Sequence, residues 1–159
     1  MKTEREADRA LTLYADTVRR ICFMHLKNHS DTEDVFQEVF LKYILYERPF
    51  ESPEHEKAWI IRVTINCCKD LLKSFFRSRV RTLNDADLNT LQAPEESTVV
   101  LDAVLRLPEK YRDVIYLFYY EGYSAVEIAK ILDKRANTIY TWLARAREKL
   151  EKALGGGLD

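Results

Sequence analysis

Residues 121–150 of the chain read EGYSAVEIAKILDKRANTIYTWLARAREKL, and the pattern indicates two helices joined by a tight turn. Ser124 and Glu127 have the spacing of a capping box, in which each side chain satisfies a backbone N–H at a helix start. This predicts a short helix that ends near Leu132. A second helix is predicted over about 135–154, before a run of three glycines.

The connection between these helices has the features of a helix-turn-helix. Ala129 is small where the two helices would touch, Asp133 can adopt a left-handed turn conformation, and Ile139 would fill the angle between them. The start of the second helix would then face a DNA major groove. The side chains predicted to be exposed on this helix can contact base edges and phosphates. These residues are Arg135, Asn137, Thr138, Tyr140, Thr141 and Arg145. An ordinary helical hairpin with a solvated charged face is the alternative interpretation.

The composition of the chain favours an all-α fold. Of 159 residues, 47% are hydrophobic and 32% are charged, while Gly and Pro number only four each. So few turn formers argue against an all-β protein. The length suits one compact domain or two small ones.

Charge is sorted into blocks along the chain, although the net charge is only −1. Residues 31–56 carry eight acids and two bases, whereas residues 69–81 carry five bases and one acid. Residues 134–152 carry six bases and two acids. The whole-chain balance alone gives no indication of a nucleic-acid-binding protein.

Three helices are predicted before residue 80. Apolar periodicity predicts the first over 7–26. A capping box at Ser30 and Glu33 predicts the start of the second, over about 31–46. The Ser52-Pro53 pair predicts the start of the third, over about 53–77.

A flexible acidic linker is predicted at 82–97, where turn formers and four acids accompany scattered apolar residues. We therefore expect two small helical domains, at 1–81 and 98–159. Two further helices are predicted in the second domain before the helix-turn-helix, over 98–107 and 108–121.

Two further surfaces are candidates for binding. On the third helix, one polar stripe at helical spacing could follow a phosphate backbone, and it consists of Arg62, Asn66, Lys69 and Lys73. Nearby aromatics could stack on unpaired bases, although core packing is the favoured interpretation of Phe50, Trp59, Phe75 and Phe76. On the second helix, exposed leucines among acids indicate a protein-docking face, formed by Asp34, Gln37, Glu38, Leu41, Lys42 and Leu45.

Signals for an enzyme, a metal or a membrane are weak. Cys22, His25 and His29 could share a metal only in principle, because the first two lie on the apolar stripe of the first helix. Adjacent Cys67 and Cys68 cannot form a C-x-x-C redox pair, so buried packing is favoured. We expect no cofactor, no catalytic residues and no membrane insertion, and the lack of a signal-peptide pattern predicts a reducing cytoplasm.

Several segments together resemble the extracytoplasmic function (ECF) group of bacterial RNA polymerase sigma factors. Residues 34–42 (DVFQEVFLK) resemble the family segment that docks on the clamp helices of the polymerase. Residues 58–70 (AWIIRVTINCCKD) resemble the helix that helps to open and bind the minus-ten element. Residues 107–113 (LPEKYRD), with 121–129 and 144–150, resemble the domain that binds the minus-thirty-five element.

The resemblance implies a role for each candidate surface. It implies binding of bacterial core RNA polymerase by Asp34, Gln37, Glu38, Leu41 and Lys42. It implies binding of melted minus-ten promoter DNA by the loop 50–56 and by Arg62, Asn66, Lys69 and Lys73. It implies binding of minus-thirty-five duplex by Arg135, Asn137, Thr138, Tyr140, Thr141 and Arg145. Members of the family are often held inactive by an anti-sigma factor, which is therefore among the expected partners.

The chain departs from the family pattern at 137–142, where NTIYTW has aromatics in place of two expected bases. The residue pattern by itself also leaves two other functions open. One is a free-standing helix-turn-helix regulator that binds duplex DNA without polymerase. The other is a helical module that binds only protein.

Overall fold

The structure of the chain is a computed structural model that describes residues 1–79 and 99–155. All regular elements in these two ranges are helices, which confirms the predicted all-α class. The chain divides into two compact units, Met1–Gln92 and Ala93–Asp159. The predicted linker at 82–97 lies outside the described residues, and its bounds stay a prediction.

The N-terminal unit contains three helices, namely α1 (Glu4–Leu26), α2 (His29–Leu45) and α3 (Pro53–Arg79). The C-terminal unit contains α4 (Val99–Leu105), α5 (Glu109–Ile115), a π-helical segment (Tyr116–Tyr120), α6 (Ala125–Leu132) and α7 (Ala136–Ala153).

The three helices of the N-terminal unit pack on one another around a common apolar core. The stripe predicted on α1 is confirmed, because Tyr14, Val18, Ile21, Cys22 and His25 are buried and Leu11 packs half-buried against the core. Val18, Val39 and Ile60, one from each helix, are fully buried. Burying one such side chain stabilises the folded state by about 1.5–3 kcal/mol.

Two helix starts differ from the sequence predictions. α1 begins at Glu4, because Thr3 and Glu6 form a capping box that the apolar periodicity did not indicate. The capping box predicted at Ser30 and Glu33 is wrong. Instead, the Asn28 side chain caps α2 and accepts a hydrogen bond of 2.8 Å from the Asp31 backbone N–H.

The connection at Ser52 is as predicted. The Ser52 hydroxyl accepts a 3.1 Å hydrogen bond from the His55 backbone N–H, so the serine satisfies a donor in the first turn of α3. α3 continues two residues beyond its predicted end and reaches Arg79.

The C-terminal unit has a feature that the sequence did not predict. The single helix expected over 108–121 is α5 followed by the π-helical segment, in which the Glu121 N–H bonds to the Tyr116 carbonyl at 3.1 Å. This i→i+5 bond widens the last turn, so the side chains there no longer follow the 3.6-residue spacing of an α-helix. As a result Tyr119 and Tyr120 are exposed, while Leu117 is fully buried.

Candidate nucleic-acid and protein interfaces

The outer face of α2 carries the predicted docking residues. Asp34, Gln37, Glu38, Leu41 and Lys42 are all exposed, and Lys42 pairs with Glu38 at 3.5 Å. Leu41 and Leu45 are each 56% exposed and lie one helical turn apart, so together they form an apolar spot among charged side chains. We call these six residues the α2 face. Helical geometry thus brings together every residue assigned to this surface, including both leucines.

The polar stripe on α3 lies opposite the core. Arg62, Asn66 and Lys73 are exposed and Lys69 is half-buried. The other side of the same helix is buried, and it includes Ile60, Ile61, Thr64, Ile65, Cys67 and Cys68. We call the four polar residues the α3 stripe. Its cations and its amide can follow a nucleic-acid backbone.

The loop between α2 and α3, residues 46–52, is lined with aromatic rings, and we call it the aromatic loop. The Tyr46 ring lies 5.3 Å from Phe50 and 4.6 Å from Trp59, and Phe50 lies 5.6 Å from Trp59. Phe50 and Trp59 are half-buried, so they are partly core, as favoured, and partly accessible. The side chains of Phe75 and Phe76 lie outside the part of the chain that is described.

Glu56, the last residue of the loop 50–56 for which minus-ten binding is predicted, is buried inside the N-terminal unit. It is only 7% exposed, and its two oxygens accept hydrogen bonds from the hydroxyls of Tyr14 at 2.8 Å and Tyr43 at 2.9 Å. Arg9 donates a third bond at 3.1 Å. The sequence pattern missed this arrangement because the partners lie far away along the chain.

These contacts change the titration of the buried groups. Burial raises the pKa of the Glu56 carboxyl, but the hydrogen bonds from Tyr14, Tyr43 and Arg9 outweigh it and hold the pKa below its ordinary value. Burial, and then the bond to Glu56, raises the pKa of Tyr43 to about 12. Glu56 is therefore a structural carboxylate that stays charged at neutral pH.

The helix-turn-helix geometry is confirmed in the C-terminal unit. Ser124 and Glu127 form the predicted capping box at the start of α6, and Asp133 has a left-handed φ of 55°. Ile139 is fully buried and Ala129 is 6% exposed, so both pack where the two helices meet. The turn therefore fixes the start of α7 relative to α6.

The outer face of α7 presents the predicted DNA-binding side chains. Arg135, Asn137, Tyr140, Thr141 and Arg145 are exposed and Thr138 is half-buried. Tyr140 is 57% exposed, although it is a large aromatic residue. The Thr141 hydroxyl donates to the Asn137 carbonyl at 3.0 Å, which fixes its rotamer on the helix surface. We call these six residues the α7 face.

Trp142 has a different environment from Tyr140. It is half-buried, and the Lys110 ammonium lies 5.5 Å from its ring. This contact joins α7 to α5, so Trp142 is a packing residue of the unit.

The three cysteines and His25 are buried packing residues of the N-terminal unit, whereas His29 and His55 are exposed. Cys22 and His25 are buried, and no group of three or more potential metal ligands occurs within 1–79 or 99–155. Burial raises the pKa of the Cys67 thiol to about 11, which keeps it protonated.

Comparisons with known proteins match both units to one family. Residues 11–80 match sigma-70 region 2, and residues 97–150 match sigma-70 region 4. The ECF RNA polymerase sigma factor SigW of Bacillus subtilis is 27% identical over 162 residues, covering 89% of this chain and 85% of SigW. The RNA polymerase sigma factor SigV of the same species is 28% identical over 131 residues, covering 80% of this chain and 78% of SigV. The chain belongs to the sigma-70 family, in its ECF group.

The fold of this sigma factor agrees with that membership. The sigma factor RpoE of Bartonella quintana, solved with the anti-sigma factor NepR, is similar with a TM-score of 0.66 and 21% identity. The similarity covers 95% of this chain and 98% of RpoE. The α2 face and the α3 stripe lie in region 2, and the α7 face lies in region 4. In the residues described for this sigma factor, no helix is both long enough and apolar enough to span a membrane.

Proposed function

We propose that this sigma factor binds bacterial core RNA polymerase and directs it to specific promoters. The observation that carries the proposal is the presence of sigma-70 regions 2 and 4, in order, on a single chain. The protein would act by binding, with the chemistry left to the polymerase. Its place of action would be the cytoplasm, where bacterial transcription occurs.

Each exposed surface has a proposed partner within this function. The α2 face docks on the polymerase, since its acids and two exposed leucines suit a protein partner with basic and apolar groups. The α3 stripe and the rings of the aromatic loop bind melted minus-ten DNA, because cations bind phosphates and rings stack on unpaired bases. The α7 face binds the minus-thirty-five duplex, since amide, hydroxyl and guanidinium groups can bond to base edges.

An anti-sigma factor is a further proposed partner. RpoE of Bartonella quintana was solved with such an inhibitor, and its fold is similar to that of the present chain. An inhibitor that covers the α2 face would compete directly with polymerase. Copurification from the native host, followed by competition with core polymerase, would test this partner.

Run-off transcription from genomic fragments tests the main proposal. The reaction contains bacterial core polymerase with no added factor, with wild type or with Glu38→Arg, Leu41→Glu. Because the double substitution reverses a charge and places a carboxylate on the apolar part of the α2 face, we expect wild type to give new start sites that the variant loses.

A matched double substitution on α1, Leu13→Glu with Asp16→Arg, controls for the change in surface chemistry. Leu13 is 53% exposed, much like Leu41. The control should keep at least half of wild-type transcription. If wild type gives no new transcript and does not bind competent core polymerase, the proposal fails and a free-standing DNA-binding regulator becomes the better hypothesis.

A further inference from the structure

Lys2 contacts the end of α2 and the start of the aromatic loop, although these residues lie far from it in the sequence. Its backbone N–H donates to the Ile44 carbonyl at 2.9 Å. Its ammonium donates to the Tyr43 carbonyl at 2.8 Å and also to the Tyr46 carbonyl. These carbonyls belong to the last turn of α2 and to its C-cap, where the i+4 donors are missing and a cation is favoured. The Tyr43 carbonyl also accepts the Tyr46 N–H at 3.2 Å.

The same ammonium also lies near three aromatic rings, one in the last turn of α2 and two in the aromatic loop. It is 4.5 Å from the centroid of Tyr43, 5.4 Å from Tyr46 and 5.5 Å from Phe50. Lys2 is half-buried, and two of its three N–H donors are used by backbone carbonyls. The arrangement suits a brace for the loop better than a freely reaching phosphate ligand.

The other end of the aromatic loop is held independently. The Glu51 backbone N–H donates to His55 Nδ1 at 3.1 Å, and Ser52 caps the first turn of α3. One turn into that helix, the Glu56 carboxylate is bonded to Tyr43 at 2.9 Å. The Tyr43 carbonyl thus accepts a bond from Lys2, and the Tyr43 hydroxyl donates one to Glu56. Tyr43 is therefore linked to the residues that hold each end of the loop.

We propose that Lys2 is a positioning residue that holds the aromatic loop in the conformation that captures an unstacked promoter base. The inference rests on the proposed function, and it adds a residue outside every surface assigned above. A loop that is already ordered binds without losing further backbone and side-chain freedom. Without the Lys2 ammonium, the loop would have to be ordered at each capture of a melted base.

The test uses holoenzyme reconstituted with the full chain on the promoter mapped by run-off transcription. Lys2→Met keeps an unbranched side chain only one heavy atom shorter but removes the charge and the donors, whereas Lys2→Arg keeps the charge and the donors. Arg5→Met, in the first turns of α1, removes the same unit charge from a nearby position and is the control. The measurements are affinity for core polymerase, thermal unfolding, and the rate of open-complex formation.

Each rate is measured on the intact promoter and on the same promoter with a mismatched, pre-opened minus-ten segment. We expect Lys2→Met to slow opening of the intact promoter about tenfold, which corresponds to loss of about one charge-assisted hydrogen bond. On the pre-opened promoter the deficit should shrink to about twofold or less, since strand separation no longer depends on base capture. Lys2→Arg should restore the rate, and core affinity should not change.

Three results would overturn the inference while leaving the proposed function intact. One is a Lys2→Met variant that opens the intact promoter as fast as wild type. Another is an Arg5→Met variant that opens it as slowly as Lys2→Met. The third is an equal loss on intact and pre-opened promoters together with a lowered unfolding temperature, which would mean that Lys2 only stabilises the unit. Failure of wild-type holoenzyme to open any promoter would instead contradict the proposed function itself.

Discussion

The Glu56 carboxylate joins all three helices of the N-terminal unit, because it lies on α3 and is bonded to Tyr14 of α1 and Tyr43 of α2. Glu56→Gln offers one acceptor oxygen and an NH₂ group, so one buried tyrosine hydroxyl faces a donor. We expect a loss of about 2 kcal/mol in the free energy of unfolding. Denaturation followed by Trp59 fluorescence in a Trp142→Phe background measures this unit, since the chain has only two tryptophans.

Glu54→Gln is the matched control for that measurement. Glu54 lies in the same first turn of α3 but is exposed, so its change should stay below about 0.5 kcal/mol. Equal effects of the two substitutions would contradict the bonding assigned to Glu56.

The same carboxylate predicts an acid-sensitive N-terminal unit. The folded pKa of Glu56 lies below the ordinary value of 4.5, because the hydrogen bonds from Tyr14, Tyr43 and Arg9 outweigh burial. Its contribution to stability is therefore complete above pH 4.5 and is lost as the pH falls through the folded pKa. The unfolding temperature of wild type should fall more steeply below pH 4.5 than that of Glu56→Gln. Parallel pH profiles for the two proteins would refute this linkage.

The sequence prediction and the structure name different capping residues for α2, Ser30 and Asn28 respectively. Asn28→Ala removes the side chain that caps the helix and should cost about 1 kcal/mol of unfolding free energy. Ser30→Ala alters only an exposed residue within the first turn and should cost less than about 0.5 kcal/mol. Trp59 fluorescence in urea can measure both variants. If Ser30→Ala were the more damaging change, the capping box expected from the sequence would be correct after all.

These helix starts show what a sequence pattern can decide. The capping box of α6 was predictable, because Ser124 and Glu127 compete with no other capping residue nearby. At α2, both Asn28 and Ser30 are good N-caps, so the local pattern did not choose between them, and Asn28 caps the helix in the structure. The acidic character of Glu56 was visible, but its burial depends on tyrosines 42 and 13 residues away, which local pattern cannot show.

The π-helical segment could not be predicted from the local sequence pattern, for a different reason. Its residues YLFYY are apolar or aromatic throughout, so no polar face reveals the change of period. By contrast, the apolar stripe on α1 alternates clearly with polar residues, and its positions from Tyr14 to His25 are buried. The same alternation on α7 places Ile139, Leu143, Ala146 and Leu150 in the core. The exposed positions of the candidate faces on α2, α3 and α7 were therefore predictable, whereas the contacts of Lys2 with the end of α2 were not.

The α7 face predicts two separable effects on promoter recognition. If Asn137 bonds to a base edge, Asn137→Ala should relax preference at one base pair by about 1–3 kcal/mol. If Arg145 binds phosphate, Arg145→Ala should weaken all promoter variants by a similar factor. Holoenzyme transcription from minus-thirty-five variants distinguishes the two patterns. Uniform loss with Asn137→Ala would remove this residue from the base-contacting set.

The charge balance of the chain predicts dependence on polymerase for DNA binding. The 25 Lys and Arg are offset by 26 Asp and Glu, so the protein as a whole gains little from phosphate neutralisation, although 134–152 is locally basic. At about 0.15 M salt, the isolated chain should bind the mapped promoter duplex only in the nonspecific range of about 1–100 μM. Holoenzyme should bind the same duplex far more tightly, because polymerase adds its own DNA contacts. Fluorescence anisotropy measures both, and tight specific binding by the isolated chain would favour a free-standing regulator over a factor that needs core polymerase.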